Sequence, residues 1–125
     1  MIVLDASVIL AALLAEPGGD VLEAISDDYR ISPMNLGEVA SKLTEKGYGV
    51  EEVGLVIAPF LANCVALTAG QAVQAGLWRT ATKRLGLSMG DRICLALGLE
   101  LGAEVYTADR AWAGLELGVK VRVTR

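Results

Sequence analysis

At 125 residues, 54% of them hydrophobic and 21% charged, the chain reads as a single folded domain over residues 1–125 rather than a disordered segment. It contains no histidine, which excludes Ser-His-Asp and Cys-His nucleophile systems and His-ligated zinc, and leaves carboxylates with a hard metal as the obvious catalytic tools. The formal charge of −4 disfavours nonspecific nucleic-acid binding, and the longest strongly apolar run, Val8 to Ala15, falls far short of the ~20 residues of a membrane span, so a cytoplasmic protein is expected.

The chain opens with Ile2-Val3-Leu4 running into Asp5. An unbroken apolar run ahead of a helical pattern predicts a buried strand of a parallel sheet, with Asp5 at its carboxyl end, where crevices form in open α/β folds. Val8–Leu14 predicts a buried helix, broken by Glu16-Pro17-Gly18-Gly19. Asp20 caps a second helix with Val21, Leu22 and Ile25 inward, and Arg30-Ile31-Ser32 is a short strand. Ser32-Pro33 sets a cap and a first-turn proline ahead of a third helix, whose apolar stripe is Leu36, Val39, Ala40 and Leu43 and whose end is Gly47. Glu51 to Ala62 reads as a helix kinked or shortened by Pro59. Cys64–Leu67 predicts a third strand. Thr68 and Gln71 have the spacing of a capping box for a helix to Leu85 that buries Val73, Leu77, Ala81 and Leu85. Ser88 and Asp91 repeat that spacing ahead of the stripe Ile93, Cys94, Leu97 and Leu101. Ala103–Thr107 is a fourth strand, Ala108-Asp109 opens a short turn carrying Trp112, and Val119–Val123 is a fifth. Cys64 and Cys94 read as buried thiols. The alternation predicts an α/β fold of three layers, α/β/α, around a parallel five-stranded sheet.

Carboxylates recur at or near the junctions of these elements. Asp5 ends the first strand, Glu38 lies on the helix after the second, Asp91 opens the helix before the fourth, and Asp109 follows the fourth. If strands one and four are neighbours, Asp5 and Asp109 share a crevice. Each acid also has a plainer reading. Asp5, Asp91 and Asp109 suit helix caps, and periodicity turns Glu38 away from the Leu36 stripe, toward solvent. Convergence needs a cation, because two carboxylates ~4 Å apart repel by about 4 kcal/mol at an effective dielectric of about 20. Mg²⁺ or Mn²⁺ relieves that repulsion with oxygen ligands and activates water against a phosphoryl group.

Leu4-Asp5-Ala6-Ser7, Gly37-Glu38-Val39, Leu87-Ser88-Met89-Gly90-Asp91 and Tyr106-Thr107-Ala108-Asp109-Arg110 occur in the order of the PIN-domain nuclease motifs. Over essentially its entire length the chain resembles the VapC-type toxins of toxin–antitoxin pairs. The resemblance implies a sheet of order 3-2-1-4-5, an acidic pocket binding Mg²⁺ or Mn²⁺, endoribonuclease activity on an RNA substrate, a homodimer and a cognate antitoxin. By position, Asp5 and Asp91 become the principal metal ligands and Asp109 completes the site directly or through water. Glu38 holds or activates water, which overrides its solvent-facing reading. Ser7 and Thr107 take the motif's hydroxyl positions, where they orient carboxylates or water. Arg92 and Arg110 directly follow two of the acids and are the candidates for RNA-phosphate contact, Arg92 standing where the family often has a small residue. Lys42 and Lys46 share a face with Glu38, and Lys120, Arg122 and Arg125 finish the chain. Aromatic residues are too few for a base-stacking platform. Two rival readings stand beside the nuclease. A phosphotransferase using Asp5 as nucleophile would want a neighbouring acid or lysine, and Asp5-Ala6-Ser7 offers neither. A catalytically silent PIN-like RNA- or protein-binding module is opposed by the intact set of four acids.

Overall fold

The computed structural model describes residues 1–125. Its elements in chain order are β1 (Ile2–Leu4), α1 (Ala6–Leu13), α2 (Val21–Ile25), β2 (Tyr29–Arg30), α3 (Pro33–Glu45), α4 (Val50–Ile57), α5 (Ala69–Leu77), α6 (Arg79–Thr82), α7 (Met89–Leu101), β3 (Glu104–Thr107) and β4 (Val121–Val123). Tight 3₁₀ turns follow α4 and α6, and a third spans Arg110–Gly114 after β3. No helix is long and apolar enough to cross a membrane.

All strands run parallel, in the order β2-β1-β3-β4, with Val3 opposite Arg30 on one side and Val105 on the other. The sheet therefore has four strands, not the five expected. Cys64–Leu67, expected as the outermost strand, contributes a single bridge: Ile31 N donates to Asn63 O at 3.0 Å and Val65 N to Ile31 O at 2.9 Å. The ladder stops there because its partner stops. Ser32 already caps α3, its Oγ accepting from Met34 N at 3.3 Å, and Pro33 has no N–H to offer.

Alternation along the strands sends neighbouring side chains to opposite faces. Leu4 and Tyr106 join Val8, Ile9, Leu36, Val39 and Leu43 in one buried cluster; Val3 and Val105 join Cys94, Leu95, Leu97 and Trp112 in the other. Helices α1 and α3 thus cover one face and α7 the other, the three layers expected. Cys94 is fully buried and Cys64 half-buried. At Gly98 a Cβ would stand 2.3 Å from Val105 Cγ2, so the bare α-carbon is what lets α7 lie down on β3.

The helix expected from Thr68 to Leu85 breaks at Trp78. Thr68 caps it, its Oγ1 accepting from Gln71 N at 3.1 Å, but the Gln71 side chain reaches across to Glu100 Oε2 at 2.6 Å instead of closing the box. Gln71, Ala75 and Thr82 are the buried positions, and α5 packs against α7. Val73 and Leu77 are left 61% and 72% exposed, the reverse of the expectation. Pro59 acts as expected, ending α4 in a 3₁₀ turn.

Candidate functional site

The acids meet at the carboxyl edge of the sheet. Asp5, Glu38, Asp91 and Asp109 all line one pocket of about 360 Å³, with Ser7, Ser41, Lys42 and Glu45 around them. Asp5 leaves the end of β1 and is 4% exposed. Its backbone N donates to Tyr106 O at 2.9 Å, which ties it to β3. Two hydroxyls hold its carboxylate. Ser7 Oγ donates to Oδ2 at 2.6 Å and Thr107 Oγ1 to the same oxygen at 3.0 Å. Ser7 Oγ in turn accepts from Ala108 N at 2.9 Å, and Thr107 Oγ1 from Asp109 N at 3.1 Å. These two residues therefore knit the ends of β1 and β3 together around Asp5. Although Asp5 stands at the N-cap of α1, its side chain makes no capping bond.

Asp91 does cap. Ser88 Oγ accepts from Asp91 N at 3.2 Å and Asp91 Oδ2 from Ser88 N at 2.8 Å, a closed capping box. The plain reading and the functional reading of Asp91 hold together, since the capped helix end is what delivers the carboxylate to the pocket. Asp109, exposed, also caps, its Oδ1 accepting from Ala111 N at 2.9 Å. Glu38 is not out in solvent. It is half-buried, with Oε1 accepting from Asn35 Nδ2 at 2.8 Å. Asn35, one turn back on α3 and fully buried, was not singled out in the sequence; its only signal there is the i,i+3 spacing to Glu38.

Charge crowding marks this pocket. Burial pushes the Asp5 carboxyl up to about 6, with repulsion from Asp91 adding to it and the Ser7 and Thr107 hydroxyls opposing. Burial, then Asp5 and Asp91, pushes Glu38 up to about 7. Asp91 is also raised, chiefly by burial. No three carboxylates close on one point tightly enough to cage an ion by themselves. An all-oxygen donor set that is mutually repulsive yet not closed suits an ion that keeps part of its water shell, as Mg²⁺ does with one or two carboxylates.

Two further cavities meet this pocket at Ser7. One, of about 640 Å³, is lined by Pro17, Asp109, Arg110 and Arg125; the other, of about 300 Å³, by Glu16, Lys42, Lys46 and Arg125. Arg110 thus lines a cavity that adjoins the acidic pocket. Arg92 does not. It is 5% exposed and its guanidinium donates to Ala75 O at 2.9 Å and Ser88 O at 3.3 Å, binding α5 to the start of α7. Successive helical residues point about 100° apart, so the side chain after Asp91 turns into the protein.

With this geometry in hand, comparison with known proteins is specific. A family model described as the PIN domain matches residues 2–116. No curated protein is significantly similar in sequence. Among solved structures, the toxin–antitoxin complex from Klebsiella pneumoniae superposes with a TM-score of 0.76 at 19% identity, covering 100% of this chain and 98% of that one. VapBC2 from Rickettsia felis, bound to a promoter DNA fragment, gives 0.74 at 18%, with 100% of both chains covered. VapC20 from Mycobacterium tuberculosis, described as a sarcin–ricin-loop-cleaving toxin, gives 0.73 at 23%, covering 93% of this chain and 97% of that one. At these identities the likeness is one of fold. The family match, spanning nearly all of the chain and every acid of the pocket, shows that the chain belongs to the PIN domain family.

Proposed function

We infer that this protein is a metal-dependent endoribonuclease, the toxin of a toxin–antitoxin pair, working as a homodimer that a cognate antitoxin restrains. One observation carries the reading: four carboxylates from distant parts of the chain line one pocket, flanked by Lys42, Lys46, Arg110 and Arg125. The antitoxin partner is carried over from the solved relatives, several of which are toxin–antitoxin complexes. The homodimer is carried over from the family, and Val73 and Leu77 on α5 give it an exposed apolar face.

Asp5, Asp91 and Asp109, with Glu38, would hold Mg²⁺ or Mn²⁺, which when bound supplies charge neutralisation and Lewis-acid polarisation of a phosphoryl oxygen. The chain's own residues do the rest. Ser7 and Thr107 keep Asp5 in one orientation, so it needs no reorganisation when substrate arrives. Lys42, Arg110 and Arg125 take the RNA phosphates on either side of the pocket. Glu38, half-buried in the pocket beside Asp5 and Asp91, would hold the attacking water and take its proton. The water oxygen bonds to phosphorus as the P–O3′ bond breaks. The 3′ oxygen leaves and takes up a proton, giving 5′-phosphate and 3′-hydroxyl ends.

The test is cleavage of RNA by the purified protein with Mg²⁺ or Mn²⁺, with EDTA, and by Asp5→Asn. Metal-dependent cleavage that the variant loses supports the nuclease. Binding without cleavage under every metal condition identifies a silent module and sinks the reading.

A further inference from the structure

We propose that Asn35 is the positioning residue for Glu38, clamping that carboxylate across the gap from α3 to the first turn of α7, on a seat that only glycine at position 90 leaves open. What Glu38 does rests on the nuclease reading above; what Asn35 does rests on geometry alone.

Asn35 is 0% exposed and precedes Glu38 by one helical turn. Its Nδ2 donates to Glu38 Oε1 at 2.8 Å and reaches Gly90 O at 3.4 Å, so one amide group ties the carboxylate to the α7 backbone. The carbonyl end, Oδ1, is equally buried and has no partner. Leaving a buried acceptor unpaired is costly, and turning the amide over would not cure it. Oδ1 would then face Glu38 Oε1 and Gly90 O, both acceptors, while the amide hydrogens were orphaned instead. The orientation of Asn35 is therefore dictated by Glu38 and Gly90, against the interest of Asn35's own carbonyl. A side chain kept only for packing would be apolar at such a position.

Gly90 gives the independent half of the argument. A Cβ there would lie 2.3 Å from Glu38 Oε1 and 2.8 Å from its Cδ. Glu38 thus rests directly on the backbone of α7, beside Asp91, in space that any other residue at 90 would fill. Periodicity alone turns Glu38 outward; the clamp and the seat together bring it into the pocket and fix which oxygen is occupied. Oε1 belongs to Asn35, and Oε2 has no protein donor.

The test compares wild type, Asn35→Leu, Gly90→Ala, Glu38→Gln and the double variant Asn35→Leu/Glu38→Gln. Leucine keeps the branching at Cγ and removes the orphaned carbonyl but is larger, so the relief of the unpaired acceptor and the added bulk oppose each other and Asn35→Leu is expected to fold and to melt within a few degrees of the wild-type temperature. It should nevertheless lose ~10- to 100-fold in kcat with little change in KM for RNA. Gly90→Ala should lose kcat similarly, by pushing Glu38 off its seat. The double variant should cleave no more slowly than Glu38→Gln alone, because Asn35 acts only through Glu38. A readout without metal or substrate completes the set: the Asn35 side-chain amide resonances of the metal-free protein should move in Glu38→Gln and stay in place in Asp109→Asn. Wild-type kcat in folded Asn35→Leu, or losses that multiply in the double variant, overturns the proposal. If wild type cleaves no RNA with any metal, the nuclease reading fails by itself, and amide resonances that ignore Glu38→Gln then overturn the clamp separately.

Discussion

Asp5 shows how one residue can be held against its own electrostatic preference. Its carboxyl is raised from 3.8 to about 6, chiefly by burial, and Glu38 from 4.5 to about 7 for the same reason with two acids beside it. The folded protein therefore binds protons between about pH 4 and 7 that the unfolded chain has already released. Stability of the metal-free protein accordingly falls as pH rises through that window, the opposite of a salt-bridged carboxylate. For Asp5 alone the loss is on the order of 3 kcal/mol. Urea unfolding in EDTA at pH 5 and pH 8 should show it, and Asp5→Asn should flatten its share of the slope. Because an asparagine oxygen still accepts from Ser7 and Thr107, that variant should be at least as stable as wild type at pH 8. Its RNA cleavage should fall by at least ~100-fold, the scale of losing a preorganised group that meets developing charge. A less stable Asp5→Asn at pH 8 would show that the carboxylate is not strained by its surroundings.

At the scale of elements, what was legible in the sequence was local. Ser32, Thr68 and Ser88 were read as caps and are caps, because a hydroxyl and the N–H groups two or three residues on need nothing else from the fold. Pro59 and Gly47 stopped their helices for equally local reasons. Asp20 stands at the N-cap of α2 without a capping bond; the other readings that failed needed a partner. The Cys64–Leu67 strand lacked a neighbouring ladder beyond Ile31. Helix α5 turned its small and polar side inward, since apolar periodicity alone does not say which side of a helix meets the core. In Gly98→Ala the new methyl meets Val105 Cγ2, so α7 must lift from β3, at about 1–3 kcal/mol of stability in denaturant unfolding. Charging the exposed face of α5 with Val73→Glu and Leu77→Glu should leave the melting temperature nearly unchanged and convert a dimer to a monomer in analytical ultracentrifugation. An unchanged sedimentation coefficient would move the interface elsewhere.

The whole molecule carries a charge of −4, yet its proposed substrate is a polyanion. On the proposed reading, cations local to the pocket would resolve the conflict, and the structure places them differently from the sequence expectation. Arg110 keeps its place, Arg92 turns inward, and Arg125 comes to the rim, where it also pairs with Glu16 at 3.8 Å. Adjacency to an acid leaves Arg110 exposed, because it lies on a turn, and buries Arg92, because it lies inside a helix. Arg125→Ala should lower RNA affinity and reduce the dependence of log K on log salt by about 1, with little effect on stability. Arg92→Ala should leave the salt slope alone and cost about 2 kcal/mol of folding stability through its lost carbonyl contacts. Filter binding across salt, beside urea unfolding, separates the two; a shared slope change would return Arg92 to the rim. The four acids were legible because motif order survives where contacts cannot be read. The direction in which Glu38 points was not, because it depends on Asn35 and Gly90, and Gly90 lies 52 positions away.

The pocket is anchored on β1 and β3, the two inner strands, with Asp5, at the end of β1, bonded to both the backbone and a hydroxyl of β3. Such a foundation has no hinge. Warping Asp5 out of register means parting the centre of the sheet, which amounts to melting the protein. On the nuclease reading proposed above, an inhibitor that leaves the fold intact is therefore expected to cover the mouth of the pocket, and its withdrawal alone restores access.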